Sequence, residues 1–192
     1  NITPSLYRAT VVATDDYNQA GIRADYNFSS SNQAFIRYSF SGGHAINPIS
    51  VRGSEVPGFP TRDDTAAHSA VLSDTHVFSP AASNQLRATF LRYKFFFDRR
   101  LNQTPPSALG FQYEPASALG QGPPFFNISG YSPIGGAITG PRDSAQNTYE
   151  LSDSVSWFHG AHSFKFGGMF LRTRINMFQA IAPNAFFVFA ST

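Results

Sequence analysis

The residues of this chain that could do chemistry are few and poorly placed for it. Five histidines and twelve Asp plus Glu residues are the main candidates for acid–base work or metal ligation, because cysteine is absent. That absence excludes disulfides, Cys-ligated zinc, iron–sulfur clusters and thiol nucleophiles. His159 and His162 stand three apart, a spacing a metal could use, but they flank Gly160-Ala161 and read as exposed turn residues. Asp74 and His76, with His68 farther along, show no convincing third ligand. Glu150 and Asp153 have opposite parity on a strand, so they cannot work as a paired acid and base. G-x-S-x-G, the P-loop and H-E-x-x-H are all missing. No enzymatic activity, cofactor or metal is expected. Charged residues make up 14% of the chain and the net charge is +2 with no basic block, so nucleic acid is not an expected partner.

The elements that position these residues have a period of two. From Gly21 to Phe28 and from Gln33 to Ser41 the even positions are Ile22, Ala24, Tyr26, Phe28, Ala34, Ile36, Tyr38 and Phe40. The odd positions are polar or small except Phe35. Ser29-Ser30-Ser31-Asn32 between the two arms has turn composition, so a hairpin with one apolar and one polar face is predicted. Asp25 should then fall opposite or diagonal to Arg37. A second hairpin is predicted over 65–97 around Ser79-Pro80-Ala81-Ala82-Ser83, and a third over 148–172 around His159-Gly160-Ala161-His162. Alternation fails after Phe90, where Arg92 and Lys94 keep its parity. Either a bulge resets the register there or the strand has left its apolar surroundings. No apolar stripe of helical period occurs.

Connections inside the hairpins are short, whereas those between them are long, about 42–64 and 99–147, with a third starting after 173. A compact soluble domain rarely spends some fifty residues on one irregular loop. Short turns at one end and long loops at the other match an outer-membrane barrel. No window approaches the ~20 consecutive apolar residues of a membrane helix, which leaves barrel strands possible. Aromatics cluster near both strand ends: Tyr26, Phe28, Phe78, Trp157 and Phe158 by the turns, and Tyr38, Phe40, Phe95, Phe96, Phe97 and Tyr149 by the long loops. Such bands suit two interfacial girdles. A soluble sandwich with aromatics at its strand ends is the alternative. The chain opens on Asn1 without a signal-peptide pattern and stops within an apolar run, so it reads as an internal piece of something longer.

The wording of the hairpins narrows this. Arg23-Ala24-Asp25-Tyr26-Asn27-Phe28-Ser29 followed by Phe35-Ile36-Arg37-Tyr38-Ser39 resembles the opening barrel hairpin of TonB-dependent outer-membrane receptors. The subgroup it is similar to is the large Oar-like one, with a carboxypeptidase-regulatory-like domain ahead of the plug. His76-Val77-Phe78-Ser79-Pro80 with Asn84-Gln85-Leu86-Arg87 resembles that subgroup's next periplasmic turn, and Trp157 to Gly167 the one after. Asn127-Ile128-Ser129-Gly130-Tyr131 with Ile134-Gly135 resembles its long-loop segment. The matches run in order over about residues 15–172. The resemblance implies energised import of a scarce ligand (a siderophore, oligosaccharide, peptide or similar) across the Gram-negative outer membrane. It also implies coupling to the TonB complex through a plug and a short box that this chain lacks.

The fold expected is all-β. Antiparallel up-and-down strands, about six in three hairpins, form part of a larger transmembrane β-barrel, open and curved when taken alone, with two unpaired edges. Arg23, Asp25, Asn27, Arg37 and Glu150 are expected to face the lumen, as is the Asp74, His76 and His68 cluster. Arg92, Lys94, Arg99 and Arg100 gather at the outer rim, where they would touch lipopolysaccharide phosphates or an anionic ligand, or simply form a solvated strand extension. Phe59, Phe111, Tyr113, Phe125, Phe126 and Tyr131 lie in the loops and would either meet ligand or pack the loops themselves. The expected surroundings are outer-membrane lipid and lipopolysaccharide. A passive porin-like barrel and a secreted all-β glycan-binding module remain the competing functional readings.

Overall fold

The structure, a computed structural model, describes residues 8–50 and 53–190. Six long strands form one antiparallel sheet: β1 (Thr14–Asn27), β2 (Asn32–Asn47), β3 (Thr61–Ser79), β4 (Ala82–Asp98), β6 (Thr139–His159) and β7 (His162–Ile181), in the order β1-β2-β3-β4-β6-β7. Two short strands, β5 (Phe125–Ile128) and β8 (Phe186–Phe189), pair in parallel as a separate ribbon. Two 3₁₀ turns, Pro106–Leu109 and Ala118–Gly120, lie in the loop before β5. The sheet is open, and β1 and β7 are its unpaired edges.

All three predicted hairpins form, but the strands are longer than alternation suggested. β2 runs on to Asn47 and β3 begins at Thr61, so the first long connection shrinks to 48–60. The second becomes 99–138, and β7 continues to Ile181 instead of ending near 172. A bilayer needs strands of only about 9–11 residues, so the upper part of each strand rises beyond it. Polar residues there are not against lipid, which is why alternation fades after Phe90. No bulge resets β4, because its pairing with β3 is continuous from Val77↔Ser83 to Arg62↔Asp98.

The two faces are distinct. Ile22, Tyr38, Ala70, Phe90 and Tyr149 align across five strands, and Ala24, Ile36, Leu72, Ala88 and Leu151 form the row below them. Among the described residues nothing packs over this side: Ile22 is 71%, Tyr26 65%, Ile36 56% and Tyr38 42% exposed. A sandwich would have buried them beneath a second layer. On the other side Val71 and Ser73 are buried, whereas Leu72 between them stands 53% exposed. That asymmetry marks the polar side as the inside of a curved sheet, and the main depressions open there.

Several positions differ from expectation. Asp25 faces Phe35 and so falls diagonal to Arg37 as predicted, but it does not pair with Arg37, which faces Arg23. The ion pair therefore runs along one strand, with Arg23 Nη2 2.6 Å from Asp25 Oδ1, because two arginines directly opposite repel and Arg23 turns toward its own neighbour. His68, Asp74 and His76 face outward, not into the lumen. They share parity with Ala70 and Leu72, and His68 packs on the Phe40 ring at 5.1 Å. Asp153 also faces outward, where it accepts a hydrogen bond from Asn84 Nδ2 at 2.6 Å. Phe95 and Phe97 leave the expected outer girdle, since their parity puts them inside, and Phe97 is buried.

The register also fixes the strand tilt. One hydrogen-bonded row runs Asn27–Gln33–Thr75–Gln85–Ser154–Gly167. Along it the turn centres recede from about 3 residues on the first hairpin to about 5 on the second and about 6.5 on the third. With the turns level on one membrane surface, that is about 0.9 residue per strand. At 3.4 Å per residue and 4.8 Å between strands, it gives a tilt of about 30°, close to the 35–45° of membrane barrels. Each residue then climbs about 2.9 Å along the barrel axis.

Candidate functional site

The inner wall is built in layers by the strand register. Nearest the turns, Asn27, Gln33, Thr75, Gln85 and Ser154 form a neutral polar row. Above it Asp25, Phe35, Ser73, Arg87 and Ser152 align, then Arg23, Arg37, Val71, Thr89 and Glu150. Arg23, Phe35, Arg37, Arg87 and Glu150 line one open depression of about 520 Å³. The Arg23 guanidinium is doubly held: its Nε donates to Asp25 Oδ2 at 2.9 Å, and its Cζ lies 4.0 Å above the Phe35 ring. Arg37, Arg87 and Glu150 form no side-chain ion pair among the described residues. All five residues expected at the lumen, Arg23, Asp25, Asn27, Arg37 and Glu150, lie on this concave side. Arg87 joins them. Its signal was in the sequence, since its parity opposes that of Leu86 and Ala88.

Above the wall, the loop between β4 and β6 folds into a compact cap around Arg99. This residue was expected at the outer rim, but it is buried. Its Nε donates to Gly140 O at 3.2 Å, Nη1 to Ala137 O at 3.1 Å and Nη2 to Gln121 O at 3.4 Å. One guanidinium thus satisfies three carbonyls from two stretches of chain, Gln121 in the loop and Ala137 to Gly140 at the start of β6, using its fixed fork of donors. Burial pushes the Arg99 pKa down to about 10, so it remains a cation at neutral pH. Arg100 turns back to Asp98, with Nε 2.9 Å from Oδ1. Neither is available to an external phosphate in this arrangement. Asn184, buried in the same cap, donates its side-chain Nδ2 to Pro123 O, and its backbone carbonyl accepts from the Tyr113 hydroxyl at 3.1 Å. No sequence pattern marked Asn184.

The loop aromatics mostly pack on one another. Phe111, Phe126 and Phe187 stack, with Phe126 and Phe187 centroids 5.3 Å apart and Phe111 and Phe126 5.6 Å apart. Phe125 lies 5.4 Å from Phe186 and is buried. Tyr113 tilts against Phe187, and Phe59 is half-buried. Tyr131 alone of the six stands clear, at 66% exposed. Two glycines allow this packing. Gly135 has φ +119° and leaves no room for a Cβ, which would sit 2.0 Å from Pro124 O. A Cβ at Gly120 would sit 2.2 Å from Pro183 O.

On the convex side Phe28, Phe78, Trp157 and Phe164 stand about two to four residues from the turns, with Trp157 and Phe164 stacked at 5.5 Å. Phe40, Phe90 and Tyr149 stand about ten to eleven residues up. Eight rises of about 2.9 Å separate these two aromatic levels, or about 23 Å, against the ≈25 Å of a barrel's apolar band. A family model for the outer membrane beta barrel domain matches residues 2–192. The chain belongs to that family. No curated protein and no solved structure matches it. The apolar face of this outer-membrane barrel segment is its lipid face, and the polar concave face is its lumenal wall. A secreted module is set aside, because such a face would be left uncovered in water. No cluster of three or more potential metal ligands occurs among the described residues.

Proposed function

We propose that this barrel segment belongs to a TonB-dependent transporter that imports a scarce ligand, such as a siderophore, an oligosaccharide or a peptide. The observation that carries this reading is the lumenal wall: Arg37, Arg87 and Glu150 project from it with no ion-pair partner on the sheet. Charged groups facing an enclosed lumen need a polar surface opposite them, and a plug domain supplies one. The ordered resemblance of the three hairpins to the Oar-like receptors points the same way. So does the closely packed loop cap at the outer end of the strands, since import of a scarce ligand calls for preformed recognition on the outer side. Coupling to the TonB complex would run through the plug and its box, not through the strands described above.

A passive porin is the competing reading, favoured by the unbroken hydrophilic wall from Gln19 to Asn27, which suits a water-filled pore. The test uses the full-length protein. Reconstituted alone in liposomes, it should pass no small sugars. In cells, uptake of its ligand should stop on adding an uncoupler of the proton gradient. Sugar flux through the purified protein, unaffected by the energy state of the cell, would establish the porin instead.

A further inference from the structure

The lipid face carries a basic belt immediately above its apolar band. Arg172 lies opposite Tyr149 at the top of that band. One step higher, Arg92, Asn147 and Arg174 share a single row across β4, β6 and β7, and Lys94 projects from β4 above Arg92. All four cations have the parity of Phe90 and Phe170, so all face outward. Lys94, Arg172 and Arg174 are exposed, and Arg92 is half-buried. Arg92 Nη1 donates to Asn147 Oδ1 at 2.9 Å, which holds its guanidinium over the centre of the row. On β4, β6 and β7 no carboxylate faces outward between this belt and the strand tops at Asp98 and Asp143. Along the barrel axis the four lie about 33–41 Å above the turn centres, from the upper edge of the apolar band to about 8 Å beyond it.

We propose that Arg92, Lys94, Arg172 and Arg174 form a binding site for the phosphates of the lipopolysaccharide lipid A in the outer leaflet. Arg92 and Arg174 flank Asn147 with their Cα atoms two strand spacings apart, about 10 Å, so both guanidiniums can close on one phosphate between them. Arginine suits this role because its planar fork matches phosphate oxygens. The acyl chains of the same lipid would run down over Phe90, Tyr149, Leu151 and Phe170. The long-loop end of the strands faces outward, opposite the short periplasmic turns, which assigns the site to the lipopolysaccharide leaflet and not the inner, phospholipid one. The site is independent of whether the lumen holds a plug or an open pore.

The test compares the full-length protein with an R92Q/K94Q/R172Q/R174Q variant, both shown to be folded by heat-modifiable gel mobility. Binding of bis-phosphorylated lipid A, lipid A stripped of phosphate, and phosphatidylglycerol is measured in detergent micelles by native mass spectrometry. The native protein should retain bis-phosphorylated lipid A at least about tenfold better than the other two lipids, and the variant should lose that preference. An R37Q/R87Q variant, altered only on the lumenal wall, should keep it. Should the fourfold variant fail to insert, the R172Q/R174Q pair is read the same way with an expected loss of about threefold or more. Equal retention of phosphate-free lipid A, equal retention of phosphatidylglycerol, or an unchanged preference in the variants would overturn the proposal.

Discussion

Replacing Arg99 with Met should release the outer cap while leaving the barrel strands intact. Methionine fills similar volume but cannot donate, so Gly140, Ala137 and Gln121 each lose a partner. Hydrogen bonds from a charged donor contribute about 1.5–3 kcal/mol each, or about 4.5–9 kcal/mol for three. Against this, the variant no longer buries a cation. Burial holds the Arg99 pKa down, to about 10, so relieving it recovers a few kcal/mol, at about 1.36 kcal/mol per pKa unit. The net local loss is about 1–5 kcal/mol, before the cost of leaving buried carbonyls unpaired pushes it toward the upper end. A value near 3 kcal/mol raises the local opening equilibrium about 150-fold. Hydrogen exchange on the full-length protein reads this directly. The amides of Phe125, Phe126 and Ala182, which bond to Ala185, Ile134 and Ile138, should exchange about a hundredfold faster, and amides in β2 and β3 should not change. Arg100→Met, which breaks only the pair with Asp98 at the strand end, should alter the same amides less than about threefold. Cap amides that stay within about threefold of the native rate in Arg99→Met would refute the anchoring role.

Other substitutions follow from the same geometry. Gly135→Ala, which needs a left-handed backbone at φ +119° and collides with Pro124 O, should cost the cap at least about 2 kcal/mol by hydrogen exchange. Ile36→Arg, near the middle of the lipid face, should destabilise the folded barrel by about 2–4 kcal/mol in guanidinium titrations, whereas Ser39→Arg on the lumenal wall should cost under about 1 kcal/mol. Asp74→Leu removes an outward carboxylate from the apolar band and should raise the unfolding midpoint by an amount worth about 1 kcal/mol. Neutralising Glu150 as Glu150→Gln should leave stability within about 0.5 kcal/mol, as expected for a residue whose partner lies off the sheet.

Much of this architecture could be read from the residues. Ile22, Tyr26, Ile36 and Tyr38 alternate with Arg23, Asp25, Arg37 and Ser39 because a lipid face and a wet face impose a period of two, and that pattern is local. Where a strand rises above the bilayer the constraint lapses, so alternation gives no sign that β7 runs beyond Arg172 or β2 beyond Ser41. The cap was illegible for a different reason. Its ribbon joins Phe125–Ile128 to Phe186–Phe189, segments some sixty residues apart, and short strands stabilised by distant partners leave no local period. Arg99 and Arg100 look alike in sequence, yet one is enclosed by loop carbonyls and the other bonds its neighbour's carboxylate; only the path of the loop decides which. Arg172 and Arg174 were visible by parity with Phe164, Phe166 and Phe170, but their level with Arg92 emerges only once the tilt of the strands is known.

The chain has no cysteine, so single cysteines placed in the full-length protein can each carry one spin label without background. In bilayers, labels at 22, 36, 72 and 151 should relax with oxygen dissolved in the acyl chains, and labels at 23, 37, 71 and 150 with a water-soluble nickel chelate or with neither reagent. Oxygen sensitivity at the second set, or nickel sensitivity throughout the first, would contradict the assignment of lipid and lumenal faces.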